Sequence, residues 1–187
     1  MHMESQKSIE SNHIKNKHTD DLIDHYWGSI NYVSGLIKAS EIKAGLILSF
    51  YGILLNFTYN YIEMVLIYAE QAPFLYGLIG LWFIATLISI YFSVRCFMPR
   101  IEGKYEKNIF FFGDVISKFG DVKQFAKTFH TISCDEDQLF DQLGQQIFII
   151  SKIASLKFGY VNKALRFLAL ALFLLLVVVA SYMIVSI

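Results

Sequence analysis

The sequence predicts an all-α integral membrane protein with three transmembrane helices and cytoplasmic helical extensions. Three observations predict it. Of the 187 residues, 55% are hydrophobic and 17% charged, and there are two prolines, a composition too apolar for an ordinary soluble domain of this size. The 16 Lys and Arg are partitioned: those from Lys7 to Lys43 and those from Arg95 to Arg166 account for all of them, leaving 44–94 and 167–187 with none. Within those gaps lie apolar runs at 44–62, 73–94 and 167–187. Each is roughly 19 to 22 residues, enough at about 1.5 Å per residue to cross a hydrocarbon core of about 30 Å.

Charge sets the orientation. Basic residues near span ends stay cytoplasmic, so the N-terminal arm and the central segment 95–166 are expected inside, and the short connection carrying Glu63 and Glu70 outside. Three crossings then put Ile187 outside. Roughly 40 polar residues precede the first apolar run, which does not read as a signal peptide. Cys96 and Cys134 both fall on the reducing side, where a structural disulfide is not expected. Acidic and basic residues balance at 16 each, so no charge excess points to nucleic acid.

In chain order, 1–19 is polar without apolar periodicity and is expected to be a disordered arm, followed by a single membrane domain over 20–187. From Asp20 the apolar positions Leu22, Tyr26, Ile30, Val33 and Ile37 repeat at helical spacing, and no proline intervenes before the first span, so one helix is expected to run on into it. Along that span Gly45, Ser49, Gly52, Asn56, Asn60 and Glu63 fall on one side of the helix, an arc of about 80° at about 100° per residue. Two readings of this polar and small-residue stripe stand: helix-to-helix packing, or a face lining water in an oligomeric pore. Thr86, Ser89 and Ser93 make a weaker stripe on the second span, open to the same two readings.

Pro99 is expected to stop the second helix, with Arg100 at the cytoplasmic interface. The stretch 108–114, NIFFFGD, is an aromatic run broken by Gly113 that should fold against neighbouring helices. Asp121 can cap a short amphipathic helix through Phe129, and the sequence SCDE over 133–136 reads as a capping box with Asp135, Glu136 and Asp137 opposing the helix dipole. From there Leu139, Leu143, Ile147, Ile150, Ala154, Val161 and Leu165 keep one apolar face until the third span begins, predicting an unbroken helix of roughly 54 residues and about 80 Å.

Three segments together resemble the membrane-spanning Pycsar effector family, from a bacterial antiphage system that signals through cyclic pyrimidine mononucleotides. They are INYVSGLIKASEIKAGLIL at 30–48, NIFFFGDVI at 108–116, and QIFIISKIASLKFGYVNKAL at 146–165. The resemblance implies a non-enzymatic effector in the bacterial inner membrane. A separate cyclase makes a cyclic nucleotide on infection, the effector responds, and the membrane is impaired, by a homo-oligomeric pore if the stripe lines water. Two other classes remain: a ligand-independent holin-like pore former, and a structural subunit of a membrane complex. The central segment favours the effector, since a bare pore former has little use for roughly 70 residues between its second and third spans.

Candidate ligand residues follow from chemistry. Lys43, Arg100 and Lys104, with Lys38 and Lys107, lie close to the cytoplasmic face, where they could hold a nucleotide phosphate or anchor to anionic lipid. The resemblance places Lys43 within a matching segment. Phe111 and its neighbours Tyr105, Phe110 and Phe112 could stack on a base or pack in a core. Asp114 could accept a ribose hydroxyl or cap the next helix. His18, Asp21 and His25 share a helical face but are too few for a metal site, and no phosphate-binding glycine loop or nucleophile arrangement is present, so no catalytic, metal or cofactor role is expected.

Overall fold

The structure, a computed structural model, describes the backbone of residues 2–71, 73–98 and 106–185, and the side chains of 18–63, 66, 67, 73–98 and 106–183. The described residues are all-helical. In chain order the helices are α1 (His2–Gln71), α2 (Phe74–Phe97), α3 (Phe112–Ser117), α4 (Val122–Ser133) and α5 (Glu136–Val185). Three of them, α1, α2 and α5, contain stretches long and apolar enough to cross a membrane.

α1 runs 70 residues without a proline. Its backbone is helical from His2, where a disordered arm over 1–19 was expected. The expectation rested on missing apolar periodicity, which decides whether a helix packs; the segment holds no Gly or Pro, so nothing in it breaks a helix. α2 starts after Pro73, whose φ of −56° suits the entry to a helix, and ends at Phe97. Pro99 and Arg100, the expected stop, lie outside the described residues.

Gly120, at φ 76°, turns the chain between α3 and α4. That backbone conformation is what favours glycine, since a Cβ there would meet only the end of the flexible Gln124 side chain, which can swing aside. Asp121 then caps α4 as expected, its Oδ1 accepting the Gln124 N–H at 2.8 Å. The helix continues to Ser133 rather than stopping at Phe129, and this displaces the expected capping box. Ser133 is the last residue of α4, whereas an N-cap needs extended backbone. Asp135 caps α5 instead, through Oδ1 to the Gln138 N–H at 3.1 Å. Beyond it α5 is continuous for 50 residues, close to the length expected.

The chain divides into two compact units, the first drawn from Met1–Leu36 and Glu102–Lys152, the second from Ile37–Ile101 and Ile153–Ile187. The first is built on burial: Ile30, Ile109, Phe119, Leu143, Ile149 and Ile150 are its buried apolar residues. Edge-to-face aromatic pairs join its elements, with Trp27 on Phe110 at 5.5 Å, Phe110 on Phe129 at 5.9 Å and Phe119 on Phe125 at 5.7 Å between centroids.

The second unit packs α1, α2 and α5 through small residues. Ala44 meets Cys96 and Val161, Tyr51 and Ile47 meet Ala164, and Trp82 with Ala85 meets Ala171 and Leu174. In a bilayer such helices gain little from apolar burial and hold by close approach and interhelical hydrogen bonds, which alanines, serines and threonines at the contacts permit.

Candidate functional site

The two polar stripes predicted for the spans have opposite fates. On α1, the face turned toward the chain's other helices carries Ala44, Ile47 and Tyr51, all under 5% exposed. The stripe lies on the other side: Ser49, Gly52, Asn56, Asn60 and Glu63 are exposed, and Gly45 is half-buried beside the Phe97 ring. The packing reading within one chain therefore fails for this stripe. On α2 it holds. Thr86, Ser89 and Ser93 are fully buried, the Ser89 hydroxyl donates to the Ala164 carbonyl at 2.8 Å, and the Ser93 hydroxyl donates to the Ser89 carbonyl at 3.0 Å. The Tyr51 hydroxyl lies beside those of Ser89 and Thr86, so the buried hydroxyls gather in the interior of this unit.

One end of the second unit carries charge. Lys157 of α5, 5% exposed, pairs with Glu41 of α1 at 2.5 Å. Next to Glu41, Ser40 is fully buried and its carbonyl accepts the Cys96 thiol at 3.7 Å. Three cations sit over rings: Lys43 over Phe158 at 5.8 Å, Arg95 over Tyr160 at 5.5 Å, Lys163 over Phe92 at 5.4 Å. Lys43 is exposed, with its ammonium available above one ring face.

In the first unit the aromatic run 108–114 is held by a polar clasp. Asn108, fully buried, donates its amide to the Gln142 carbonyl at 2.6 Å and accepts the Phe110 N–H at 2.8 Å. Gln142 reaches back, its Oε1 accepting the Ile109 N–H at 3.0 Å. Asp114 lies in the first turn of α3. Rather than capping a following helix, its Oδ2 accepts the Asn108 N–H at 3.0 Å and its Oδ1 meets Lys118 at 2.8 Å. Phe110 is committed to the aromatic core, Phe111 precedes α3 and lies against Gly113, and Phe112 projects outward at 81% exposure. Phe111 and Asp114 thus lie together at the start of α3, while Lys43 belongs to the second unit; Arg100, Lys104 and Tyr105 lie outside the described residues.

Sequence reasoning missed Glu41, Lys157, Asn108 and Gln142. Lys157 left a signal: it falls on the apolar face of α5, between Ala154 and Val161, where an unpaired lysine is costly. Glu41 and Gln142 left none, because their partners are 116 and 33 residues away.

The chain matches the family described as Pycsar effector protein domain over residues 25–184, from within α1 almost to the end of α5. It belongs to the Pycsar effector family. Among curated relatives it is similar to the Pycsar effector protein PtPycTM of Propioniciclava tarda, 26% identical over 162 residues, 83% of this chain and 77% of that protein. It is also similar to SaPycTM of Staphylococcus aureus, 27% identical over 133 residues, 71% of this chain and 78% of that one. No solved structure matches. Pycsar effectors with a transmembrane domain serve antiphage defence alongside a separate cyclase, and the three long apolar helices here fit that architecture. The exposed stripe, the clasped loop and the Glu41–Lys157 pair all fall inside the family match.

Proposed function

We propose that this Pycsar effector responds to a cyclic nucleotide, in the first instance a cyclic pyrimidine mononucleotide, and impairs the bacterial inner membrane as a homo-oligomer whose α1 stripes line a water-filled path. The observation that carries the reading is the exposure of Ser49, Asn56, Asn60 and Glu63 on a stretch otherwise apolar enough to span a membrane. Amide and carboxylate side chains facing lipid are costly, and copies of the same helix placed around water relieve that cost. Topology follows the charge pattern: the N-terminus and the segment between α2 and α5 lie in the cytoplasm, and the C-terminus outside. The residues to test for nucleotide contact are Lys43, Arg100, Lys104, Phe111 and Asp114, and Asp114 is expected to act indirectly, since both its oxygens are already engaged.

The test co-expresses the chain with a pyrimidine cyclase and follows membrane potential with a voltage-sensitive dye. Depolarisation is expected only when both proteins are present. Asn56→Leu with Asn60→Leu should remove it while membrane fractionation stays unchanged. Depolarisation without any cyclase would support the ligand-independent pore, and depolarisation that survives the double substitution would exclude the stripe as the conducting face.

A further inference from the structure

The second unit contains a cleft of about 630 Å³ at the end of α1 farther from Glu41, walled by α1, α2 and the last turns of α5; Phe57, Tyr61, Tyr76, Gly80, Phe83 and Val179 are among its lining residues. Among the described residues its lining holds no charged side chain. Its Thr58 hydroxyl is turned to the Leu54 carbonyl at 2.9 Å, and the Tyr76 hydroxyl reaches the Leu66 carbonyl at 3.5 Å. The rest of the described lining is hydrocarbon apart from the Tyr61 hydroxyl and the indole N–H of Trp82, a surface that selects a predominantly hydrocarbon ligand. The cleft is open sideways, since Phe57, Tyr61, Phe83 and Val179 are each 48–59% exposed. It is also built with room. A Cβ placed on Gly80 meets no atom within 4 Å, so this glycine serves no close helix contact among the described residues, although glycine in a helix interior is less stable than alanine.

We propose that this cleft is a binding site for one acyl chain of a membrane phospholipid. A second copy presenting its α1 stripe is the wrong occupant: Gly52, Asn56, Asn60 and Glu63 lie on roughly the opposite side of α1 from Leu54, Phe57 and Tyr61, and their polar groups would find no partner among apolar walls. The tyrosines at the cleft match the interfacial aromatics that sit at the headgroup level of a bilayer, which would place the lipid ester near Tyr61 and Tyr76 and its chain along Gly80 and Trp82. The proposal rests on the membrane-spanning reading of α1, α2 and α5.

The test uses the full chain purified in mild detergent and analysed by native mass spectrometry. Wild type is expected to carry one phospholipid per chain through extended washing, and Gly80→Leu, which fills the cleft, at least tenfold less. Gly77→Leu, on the same helix but outside the cleft lining, should retain it. Equal retention by wild type and Gly80→Leu overturns the proposal. So does a lipid-free wild type, and if Gly80→Leu also dissociates its oligomer, the occupant is a second copy. A readout that needs no cleft-filling variant is Trp82 fluorescence in a Trp27→Phe background, in vesicles of phosphatidylethanolamine and phosphatidylglycerol with brominated acyl chains. Trp82 is 5% exposed and lines the cleft, so a chain seated there is expected to quench half its emission or more, and unquenched emission overturns the proposal. Carbonate washing of membranes separates the two levels: a chain that is released fails the membrane reading, whereas one that is retained without phospholipid fails this site alone.

Discussion

Lys157 interrupts the apolar face of α5 between the buried residues Ala154 and Val161, and its ammonium is matched by Glu41, whose side chain is 39% exposed. The asymmetry in exposure decides what each substitution does. Glu41→Gln leaves a buried cation without its counter-charge, whereas Lys157→Met removes the buried charge and fits an unbranched apolar chain into the same space. We expect Glu41→Gln to destabilise by about 2 kcal/mol, below the range for fully buried pairs because water reaches the carboxylate, and Lys157→Met by under about 1 kcal/mol. Denaturation of the detergent-solubilised chain by a stepwise increase in dodecyl sulfate measures both, and the reverse order would show that the pair is not buried as described. A second residue-scale expectation concerns Asn108. Replacing it with Leu strips the Phe110 N–H of its acceptor and the Gln142 carbonyl of a donor additional to its helical one, and we expect a loss of about 1–3 kcal/mol together with faster amide exchange at Phe110.

At the scale of the element, the stripes on α1 and α2 have similar chemistry and unlike surroundings, so equivalent substitutions should read out differently. Ser89→Ala removes an interhelical hydrogen bond to Ala164 and is expected to lower stability by about 0.6 kcal/mol, the typical value for such bonds in membrane bundles. Ser49→Ala removes nothing within the chain, and its effect should appear in assembly measured by crosslinking, not in unfolding of the single chain. The two stripes also mark what the sequence made legible. Helical spacing and the gaps in Lys and Arg disclosed α1, α2 and α5 and both stripes, because periodicity and hydropathy are local properties. Which stripe is covered depends on how the three helices turn toward one another, and that is settled by side chains distant in sequence, such as Tyr51 against Ala164. The same limit hid the clasp in the first unit: Asp121 was readable as a cap because its partner is three residues away, while Asp114 holds Asn108 backward across a loop that no spacing rule describes.

For the whole molecule, topology and coupling each have a direct measurement. Cys96 is buried and Cys134 exposed, so the natural thiols already report one side. With Phe74→Cys added at an exposed position beside the connection between α1 and α2, a membrane-impermeant maleimide applied to intact cells should label the introduced thiol and spare Cys134; labelling of Cys134 would invert the orientation. The coupling that the proposed function requires is expected to run through α5, which is unbroken from Glu136 to Val185 while contributing to both units, the division falling between Lys152 and Ile153. A continuous helix carries a displacement along its length, provided the ligand prefers one of two arrangements; a flexible joint at the division absorbs it. Ser151→Gly with Lys152→Pro places such a joint there without shifting the helical register, since proline removes a backbone hydrogen bond and costs about 3 kcal/mol in a helix interior. Ser151→Ala with Lys152→Ala controls for the lost side chains. We expect the Gly-Pro variant to bind cyclic nucleotide like wild type in calorimetry and to leave the membrane polarised in cells making that nucleotide, with the alanine control depolarising normally. Depolarisation by the Gly-Pro variant would move the transmitting role to α1, the other helix that contributes to both units.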